Sequence, residues 1–247
     1  MPSRSIFAAV AVITSLLVLS LANPGSARAE SFQRLLERAK IDYTVPPSGK
    51  AILVNIPAFE MILFQDGTPV MRSRVIIGAP WHRTPRLKTQ VSTVRFRPTW
   101  RPTRSMVASG EYRDYVRAAG ERNPLGLAAV RLGPGMLVYL HDTNRRALFE
   151  QENRALSHGC VRVQKWAELV AFVLDMDLAQ VHRLANGRRT FDAPAPPIPV
   201  ELGYYTRFPD SAGVIMTYPD IYGLHPSSDL RDTPVQTENI ACAQDTQ

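Results

Sequence analysis

Residues 141–163 read HDTNRRALFEQENRALSHGCVRV, and the rest of the chain can be placed around this stretch. The apolar run at residues 136–140 predicts a strand that ends at His141. The stretch closes with the tetrapeptide SHGC, residues 157–160, followed by a helical pattern of apolar residues over 164–176. A cysteine nucleophile needs a base, a positive environment and donors for an oxyanion. This stretch offers candidates for all three.

Cys160 is the candidate nucleophile. Gly159 allows a sharp turn before it, and the predicted helix soon after it would point N-terminal amides toward an anion. Arg162 adds a fixed positive charge two positions later. These features favour a lowered thiol pKa, although an arbitrary single cysteine is more often a small buried apolar residue.

Two histidines accompany the cysteine. His141 lies at the predicted strand end, where one intervening loop could return the chain to Cys160, and a strand-end histidine bonded to backbone is the alternative. His158 is expected to orient the loop rather than take the proton. A zinc site of His141, His158 and Cys160 is disfavoured, because the chain has no second set of ligands such as CxxC or HExxH. We therefore predict neither a metal nor another cofactor.

The spacing of this motif resembles the signature of the L,D-transpeptidase catalytic domain family: a histidine, then fifteen residues, then SHGC followed by an aliphatic residue and arginine. Further segments over residues 46–225 resemble the larger periplasmic members of that family: residues 51–63, 75–80 with 84–85 after them, 96–100 and 220–223. The resemblance implies enzymes that cross-link bacterial peptidoglycan through a cysteine. Together with the strand pattern, it predicts a mainly-β fold, an L,D-transpeptidase-like β-sandwich with a few short helices.

Carried over residue by residue, the resemblance implies that Cys160 is the nucleophile and His141 both accepts and donates the proton. The backbone amides around His158, Gly159 and Cys160 would form the oxyanion hole, with Ser157 supporting the same turn. Arg162 would orient the site or meet a substrate carboxylate. Asp142 departs from the pattern, since members often have glycine or serine there, and its side chain either tunes His141 or turns outward.

The implied partners are the tetrapeptide stems of peptidoglycan, with a wall-linked lipoprotein as one acyl acceptor. Hydrolysis of the same bond by an L,D-carboxypeptidase or amidase is the alternative, because only the acceptor differs. A non-catalytic envelope-binding module is the contrasting class. The longer members also carry a wall-binding domain and a larger insertion above the site, and neither is expected in this chain.

The amino terminus predicts export. Arg4 precedes the uncharged run 6–22, and the small-x-small tripeptide at 27–29 fits a signal-peptidase site, so residues 1–29 are expected to be a signal peptide. A retained membrane anchor is the alternative. We place the mature protein in the periplasm or cell envelope, with no stable membrane span. The net charge of +7 comes without a basic run interleaved with aromatic residues, so no nucleic-acid partner is expected.

The sequence does not decide whether the two cysteines form a disulfide. Exported proteins tend to pair their cysteines, which gives a Cys160–Cys242 disulfide by default. Cys242, however, lies in a polar tail with no apolar pattern to hold it in place, which favours an unpaired Cys160.

The remaining pattern divides the chain into a helical extension (30–45), one mainly-β domain (46–225) and a polar tail (226–247) that is expected to be disordered. Strands are predicted at 52–56, 60–64, 70–77, 90–96, 136–140, 198–208 and 214–218. Helices are predicted at 31–41, 109–119, 164–176 and 178–185, and Trp166 is expected in the core. The glycine- and proline-rich residues 122–135 predict a surface loop overhanging the site.

Overall fold

The computed structural model describes residues 30–133 and 136–224. No helix in that part of the chain is long and apolar enough to cross a membrane. The predicted signal peptide (1–29) and the predicted tail (226–247), which includes Cys242, lie outside the described residues.

The described chain is mainly β with four short α-helices and one 3₁₀ helix at Arg146–Glu150. The strands are β1 Lys50–Asn55, β2 Glu60–Gln65, β3 Thr68–Gly78, β4 Leu87–Phe96, β5 Ala128–Leu132, β6 Tyr139–His141, β7 Ala155–Ser157, β8 Val161–Val163, β9 Phe191–Pro194, β10 Pro199–Gly203, β11 Arg207–Pro209 and β12 Ile215–Thr217. The helices are α1 Phe32–Arg38, α2 Arg104–Ala108, α3 Trp166–Leu174 and α4 Leu178–Ala185.

Eight strands form a closed ring in the order β10-β1-β2-β3-β8-β6-β5-β4, and β10 then pairs with β4. The closure depends on β10, which runs parallel to β1 and antiparallel to β4. Strand β9 adds to β4 and β7 adds to β3, while β11 and β12 form a separate hairpin. The mainly-β prediction is confirmed. The predicted sandwich is not, because the pairing continues around one ring instead of dividing into two facing sheets.

Both faces of β1 and β2 are buried, which explains why their sequences read as continuous apolar runs. Alternate residues of β1, Ile52 and Val54, belong to the main core, whereas Leu53 belongs to a second cluster on the other face. Helix α1 covers that second face through Phe32, which packs against Phe64 of β2 and Phe208 of β11. The amphipathic pattern predicted at residues 31–41 is therefore used to close the outside of the sheet.

The predicted helix at 109–119 is wrong, and a helix forms just before it instead. Thr103 caps α2 by accepting a hydrogen bond from the Met106 amide at 3.2 Å, and Gly110 follows the helix with φ +76°. The aromatic residues that suggested a helical face, Tyr112 and Tyr115, pack on Trp100 at ring distances of 5.2 and 5.8 Å. Their shared target, rather than helical periodicity, accounts for the spacing.

The predicted surface loop at 122–135 is also wrong in part, because β5 lies within it and pairs with β4 and β6. The loop before β5 is anchored by Asn123, whose side chain donates to the Pro98 carbonyl at 2.8 Å and accepts from the Leu125 amide at 2.8 Å. Asn123 is fully buried. The loop is thus tied into the core beside the strands that carry the candidate site.

Two residues that face each other across the β11–β12 hairpin provide a test of how α1 is attached. Phe208 is fully buried in the second cluster, and its partner Met216 is 43% exposed. Phe208→Ala should lower the free energy of unfolding by about 3–5 kcal/mol, because it leaves a cavity beneath α1. Met216→Ala should change it by no more than about 0.5 kcal/mol. Urea denaturation measures both, and equal effects would contradict the described packing.

Candidate active site

Two short parallel strands bring the candidate catalytic residues together. His141, the last residue of β6, pairs with Arg162 of β8 in parallel register. Cys160 immediately precedes β8, and its sulfur accepts a hydrogen bond from the Tyr139 amide of β6 at 3.3 Å. The cysteine and the histidine, which are separated by a long loop in the sequence, therefore lie on neighbouring strands, with His141 at the predicted strand end.

Cys160 is buried, with 2% of its surface exposed, and it is disulfide-bonded. No free cysteine is present among the described residues. The prediction that favoured an unpaired Cys160 is therefore wrong, and the buried sulfur does not face an open groove. The expected helix N-terminus is also wrong, because β8 follows Cys160 and α3 begins only at Trp166.

His141 is held as a neutral imidazole. Burial lowers its pKa to about 3, and the nearby positive charge of Arg162 acts in the same direction. The carbonyls of Asp142 and Leu125 act against this shift. Nδ1 lies 2.5 Å from the Asp142 carbonyl oxygen. Since a carbonyl only accepts, Nδ1 carries the proton of the neutral ring, and the lone pair is on Nε2.

The Asp142 side chain points inward and braces the loop before β5. Its Oδ2 accepts from the Leu127 amide at 3.0 Å, and its Oδ1 accepts from the Arg146 guanidinium at 2.6 Å. A Cβ atom on Gly126, which has φ +63°, would lie 2.3 Å from Oδ2, so only glycine fits there. Burial raises the Asp142 pKa. The outward orientation considered from the sequence is wrong, because the side chain fixes the segment beside His141.

The turn that carries Cys160 is held together by Ser157. Its hydroxyl donates to the Cys160 carbonyl at 2.5 Å and accepts from the Gly159 amide at 3.1 Å. Gly159 has φ +110°, a conformation that favours glycine. The Gly159 amide is thus already engaged, so in this conformation it does not form part of the predicted oxyanion hole.

Two residues without a predicted role support the same turn. The Thr84 hydroxyl donates to the Gly159 carbonyl at 2.8 Å and accepts from the Gly78 amide at 2.8 Å. The Tyr222 hydroxyl donates to the Gly78 carbonyl at 2.6 Å and accepts from the Thr84 amide at 3.1 Å. Both lie in segments that were noted for their resemblance, residues 84–85 and 220–223. Their function here is to connect β3 to the cysteine-bearing turn.

Arg162 supplies a buried positive charge next to His141. Burial is the main cause that lowers its pKa to about 10, with the charge of Arg145 second, so the guanidinium stays protonated near neutral pH. Its Nη1 atom is buried without a hydrogen-bond partner. A buried, charged donor without an acceptor is costly, and a bound anion would relieve that cost.

His158 contacts residues from two other segments. Its Nε2 lies 2.9 Å from Glu111 Oε2, and its ring lies 4.7 Å from the ring of His82. Burial lowers the pKa of His82, and the neighbouring His158 adds to the effect. Among the described residues, these three form the one group with metal-ligand atoms close together, and it is not the set weighed from the sequence. No sequence spacing pointed to His82 or Glu111.

A family model of the L,D-transpeptidase catalytic domain (YkuD) matches residues 49–200. A putative L,D-transpeptidase of Haemophilus influenzae is 30% identical over 243 residues, which cover 81% of this chain and 50% of that protein. The probable L,D-transpeptidase YbiS of Escherichia coli K12 is 35% identical over 121 residues, 47% of this chain and 38% of that protein. The chain therefore spans half the length of these curated relatives or less.

Among solved structures, an L,D-transpeptidase from Mycobacterium smegmatis aligns with a TM-score of 0.41 and 18% identity. The alignment covers 63% of this chain and 59% of that one.

The Thr84 hydroxyl can be tested with an isosteric change. Thr84→Val leaves the buried Gly78 amide and Gly159 carbonyl without their partner, so the free energy of unfolding should fall by at least about 2 kcal/mol. Thr217→Val in β12 is the matched control, because Thr217 is exposed, and it should stay within about 0.5 kcal/mol of wild type. Chemical denaturation measures both variants, and a Thr84→Val effect as small as the control's would contradict the bridging role.

Because His141 is buried as a neutral ring, we expect the free energy of unfolding to fall as the pH is lowered. Its folded-state pKa, about 3, lies below the ordinary value of 6.5, so the unfolded state binds the proton more readily. The stabilisation is complete above pH 6.5 and is lost as pH falls toward 3. In that window His141 contributes up to about 1.4 kcal/mol per pH unit to the slope of the unfolding free energy.

His141→Gln keeps a donor for the Asp142 carbonyl but does not titrate, so this part of the slope should disappear. Denaturation midpoints from pH 4 to 7 for wild type and His141→Gln measure the difference. Parallel curves for wild type and His141→Gln would show that His141 is not buried as a neutral ring.

Proposed function

Because the chain belongs to the L,D-transpeptidase catalytic domain family, we propose that it is an L,D-transpeptidase acting on the peptide stems of peptidoglycan. Cys160, in its reduced form, is the nucleophile. The observation that carries this proposal is the parallel pairing of β6 with β8, which sets the end of the His141 strand beside the cysteine-bearing turn. Acyl transfer through a covalent intermediate needs a nucleophile and a base that can come within hydrogen-bond reach, and this strand pairing supports that role for Cys160 and His141.

His141 is the proposed proton acceptor and donor. The Asp142 carbonyl holds the Nδ1 proton, which leaves the Nε2 lone pair to take the proton from the Cys160 thiol. A pKa of about 3 keeps the ring neutral at physiological pH, so Nε2 is unprotonated. So low a pKa also makes the ring a weak base, and turnover therefore requires that opening of the site after disulfide reduction raise the His141 pKa toward neutrality. The same low pKa makes the protonated ring a strong acid, ready to pass its proton to the leaving amine.

The proposed reaction has two halves. The Cys160 sulfur attacks the carbonyl at the L-centre of the third residue of a tetrapeptide stem, and a carbon–sulfur bond forms as the thiol proton moves to His141. The carbon–nitrogen bond then breaks, and terminal D-Ala leaves as the amine with the proton from His141. An amine of a second stem attacks the thioester, gives its proton to His141 and releases the sulfur, which regains a proton.

Arg162 is the proposed contact for a carboxylate of the stem. Its buried Nη1 lacks a partner, and it faces the same region as His141, whose pKa its charge lowers. A guanidinium in such a place gains the acceptor that it lacks when an anion binds. The positive charge would also favour the thiolate of Cys160 over the thiol.

The proposal applies to the reduced protein. A sulfur in a disulfide has no thiolate lone pair to offer a carbonyl, and Cys160 is disulfide-bonded and buried. Turnover therefore requires that the bond be reduced and that the sulfur become accessible. The chain has two cysteines, so Cys242→Ser leaves Cys160 without any intrachain disulfide partner.

Export and the acyl acceptor complete the proposal. Residues 1–29 are proposed as a signal peptide that directs the protein to the periplasm or cell envelope. The acceptor is a stem amine, which forms a 3–3 cross-link, or the lysine of a wall-linked lipoprotein. Water as acceptor would make the protein an L,D-carboxypeptidase or amidase. A module that only binds the envelope would form no covalent intermediate.

Intact-mass analysis with a tetrapeptide stem and, separately, with a carbapenem tests the nucleophile. Wild-type protein should form an acyl adduct only after reduction, whereas Cys242→Ser should form it without reductant. Cys160→Ser should form none with either probe. His141→Gln should slow adduct formation by about 10²–10⁴-fold, the usual contribution of a positioned acid–base group. An adduct that persists in Cys160→Ser would contradict the assignment.

Products from the stem identify the acceptor. A new 3–3 dimer supports the transpeptidase, and a tripeptide without a dimer supports the hydrolase. Iodoacetamide labelling of reduced Cys242→Ser reports whether the Cys160 sulfur becomes accessible. If the reduced protein is labelled, folded and still forms no adduct, the protein is a binding module and the enzymatic proposal is wrong.

A further inference from the structure

Three side chains from three separate segments converge at the cysteine-bearing turn. His82 comes from the loop between β3 and β4, Glu111 from the segment after α2, and His158 from the turn between β7 and β8. One possible ligand atom of each lies within 4.8 Å of the others. Glu111 and His158 are already 2.9 Å apart, and the two imidazole rings are 4.7 Å apart, tilted by 32°.

We propose that His82, Glu111 and His158 form a binding site for a divalent transition-metal ion, best matched by Zn²⁺. Two imidazoles and one carboxylate are a ligand set that Zn²⁺ accepts, and three protein ligands leave a fourth position for water or an anionic group. Mg²⁺ and Ca²⁺ are less suitable for this site than Zn²⁺, because both prefer oxygen ligands and two of the three ligands here are imidazole nitrogens. The proposed ligands include neither His141 nor Cys160.

The ligands need only a small movement to bind the ion. Tetrahedral ligands at zinc distances are about 3.3 Å apart, so the widest pair must approach by roughly 1.5 Å. The Glu111 side chain is 44% exposed and can rotate toward the two imidazoles, whereas His158 is 22% exposed and its ring packs against His82 and Tyr112. The required approach is therefore a change of rotamer rather than of the backbone.

The backbone beneath the three side chains is fixed. A Cβ atom on Gly78 would lie 2.0 Å from the His82 carbonyl oxygen, which shows how tightly this loop is packed on β3. The Tyr112 amide next to Glu111 donates to the Met106 carbonyl at 3.2 Å. His158 lies between Ser157 and Gly159, whose mutual hydrogen bond defines the turn. A preformed arrangement of this kind lowers the entropic cost of binding an ion.

The simpler explanation is an ion pair between His158 and Glu111 with His82 packed beside it. A partly exposed pair contributes only about 0–1 kcal/mol, and it would not involve His82 in any metal response. The two explanations therefore differ in what His82→Ala does. On the metal proposal His82 is a ligand equal to the other two, whereas on the ion-pair explanation its loss is silent.

Zinc titration by calorimetry tests the site in the disulfide-bonded protein, after any polyhistidine tag is removed and remaining thiols are blocked with iodoacetamide. Wild type should bind one Zn²⁺ per chain, and its melting temperature should rise with Zn²⁺. His82→Ala and Glu111→Gln should each weaken binding by at least ~10-fold, since loss of an outer partner of a ligand already costs that much. His182→Ala, which removes an exposed histidine on α4, should bind as wild type.

Melting in EDTA checks the folding of each variant, and both should melt close to wild type there because their side chains are partly exposed. Co²⁺ in place of Zn²⁺ should give the visible absorption of a four-coordinate ion, and this band should be lost in His82→Ala. The proposal is overturned if wild type binds no Zn²⁺, or if His82→Ala and Glu111→Gln bind it with wild-type affinity.

Discussion

The parallel pairing of β6 with β8 is the constraint on which the candidate site depends. Each strand has only three residues, so neither would be stable outside the ring that holds them. Their register sets His141 opposite Arg162, and it brings the Cys160 sulfur to the backbone of β6. The neutrality of His141, the buried charge of Arg162 and the position of the sulfur all follow from this one register.

The turn before β8 shows how a site can be rigid without regular structure. Ser157 closes the turn on itself, because its hydroxyl bonds both Gly159 and Cys160. The Thr84 hydroxyl also both donates and accepts, and it joins the turn to Gly78 at the end of β3. Such a turn holds its shape because its polar groups are satisfied by hydrogen bonds within this arrangement. The same saturation explains why the Gly159 amide is not presented to a substrate here.

The sequence predicted the longer strands and helices, whose residue patterns extend over enough positions to be recognised. Strands β1 and β2 were found from their continuous apolar runs, β3 from its alternating arginines, β4 from its β-branched content, and α3 from its helical spacing, because each element is long enough to show its pattern. Strands β7, β8 and β9 have three or four residues and exist only through their neighbours, so no period marked them. The helix expected at 109–119 failed because Tyr112 and Tyr115 share Trp100 as a target, and sequence spacing does not distinguish that from a helical face.

The residues of the candidate site also fall into two groups, those that the sequence identified and those that only the structure reveals. Cys160 and His141 were identifiable because one loop separates them and the surrounding tetrapeptide is distinctive. Thr84, Tyr222 and Glu111 reach the turn from remote segments, so only the three-dimensional arrangement shows their contacts. The state of the sulfur was predicted wrongly, because the polar surroundings of Cys242 favoured an unpaired Cys160, whereas Cys160 is disulfide-bonded.

The closure of the ring by β10 has a consequence for the order in which the chain can fold. Asn55 of β1 pairs with Gly203 of β10, so one edge of β1 stays unpaired until β10, which comes late in the sequence, is in place. Pairings between such distant residues slow the search for the native state. Until β10 has paired, the other seven strands of the ring can form only an open sheet. Chains that stop short of β10 keep two exposed strand edges, which are the surfaces on which foreign strands aggregate.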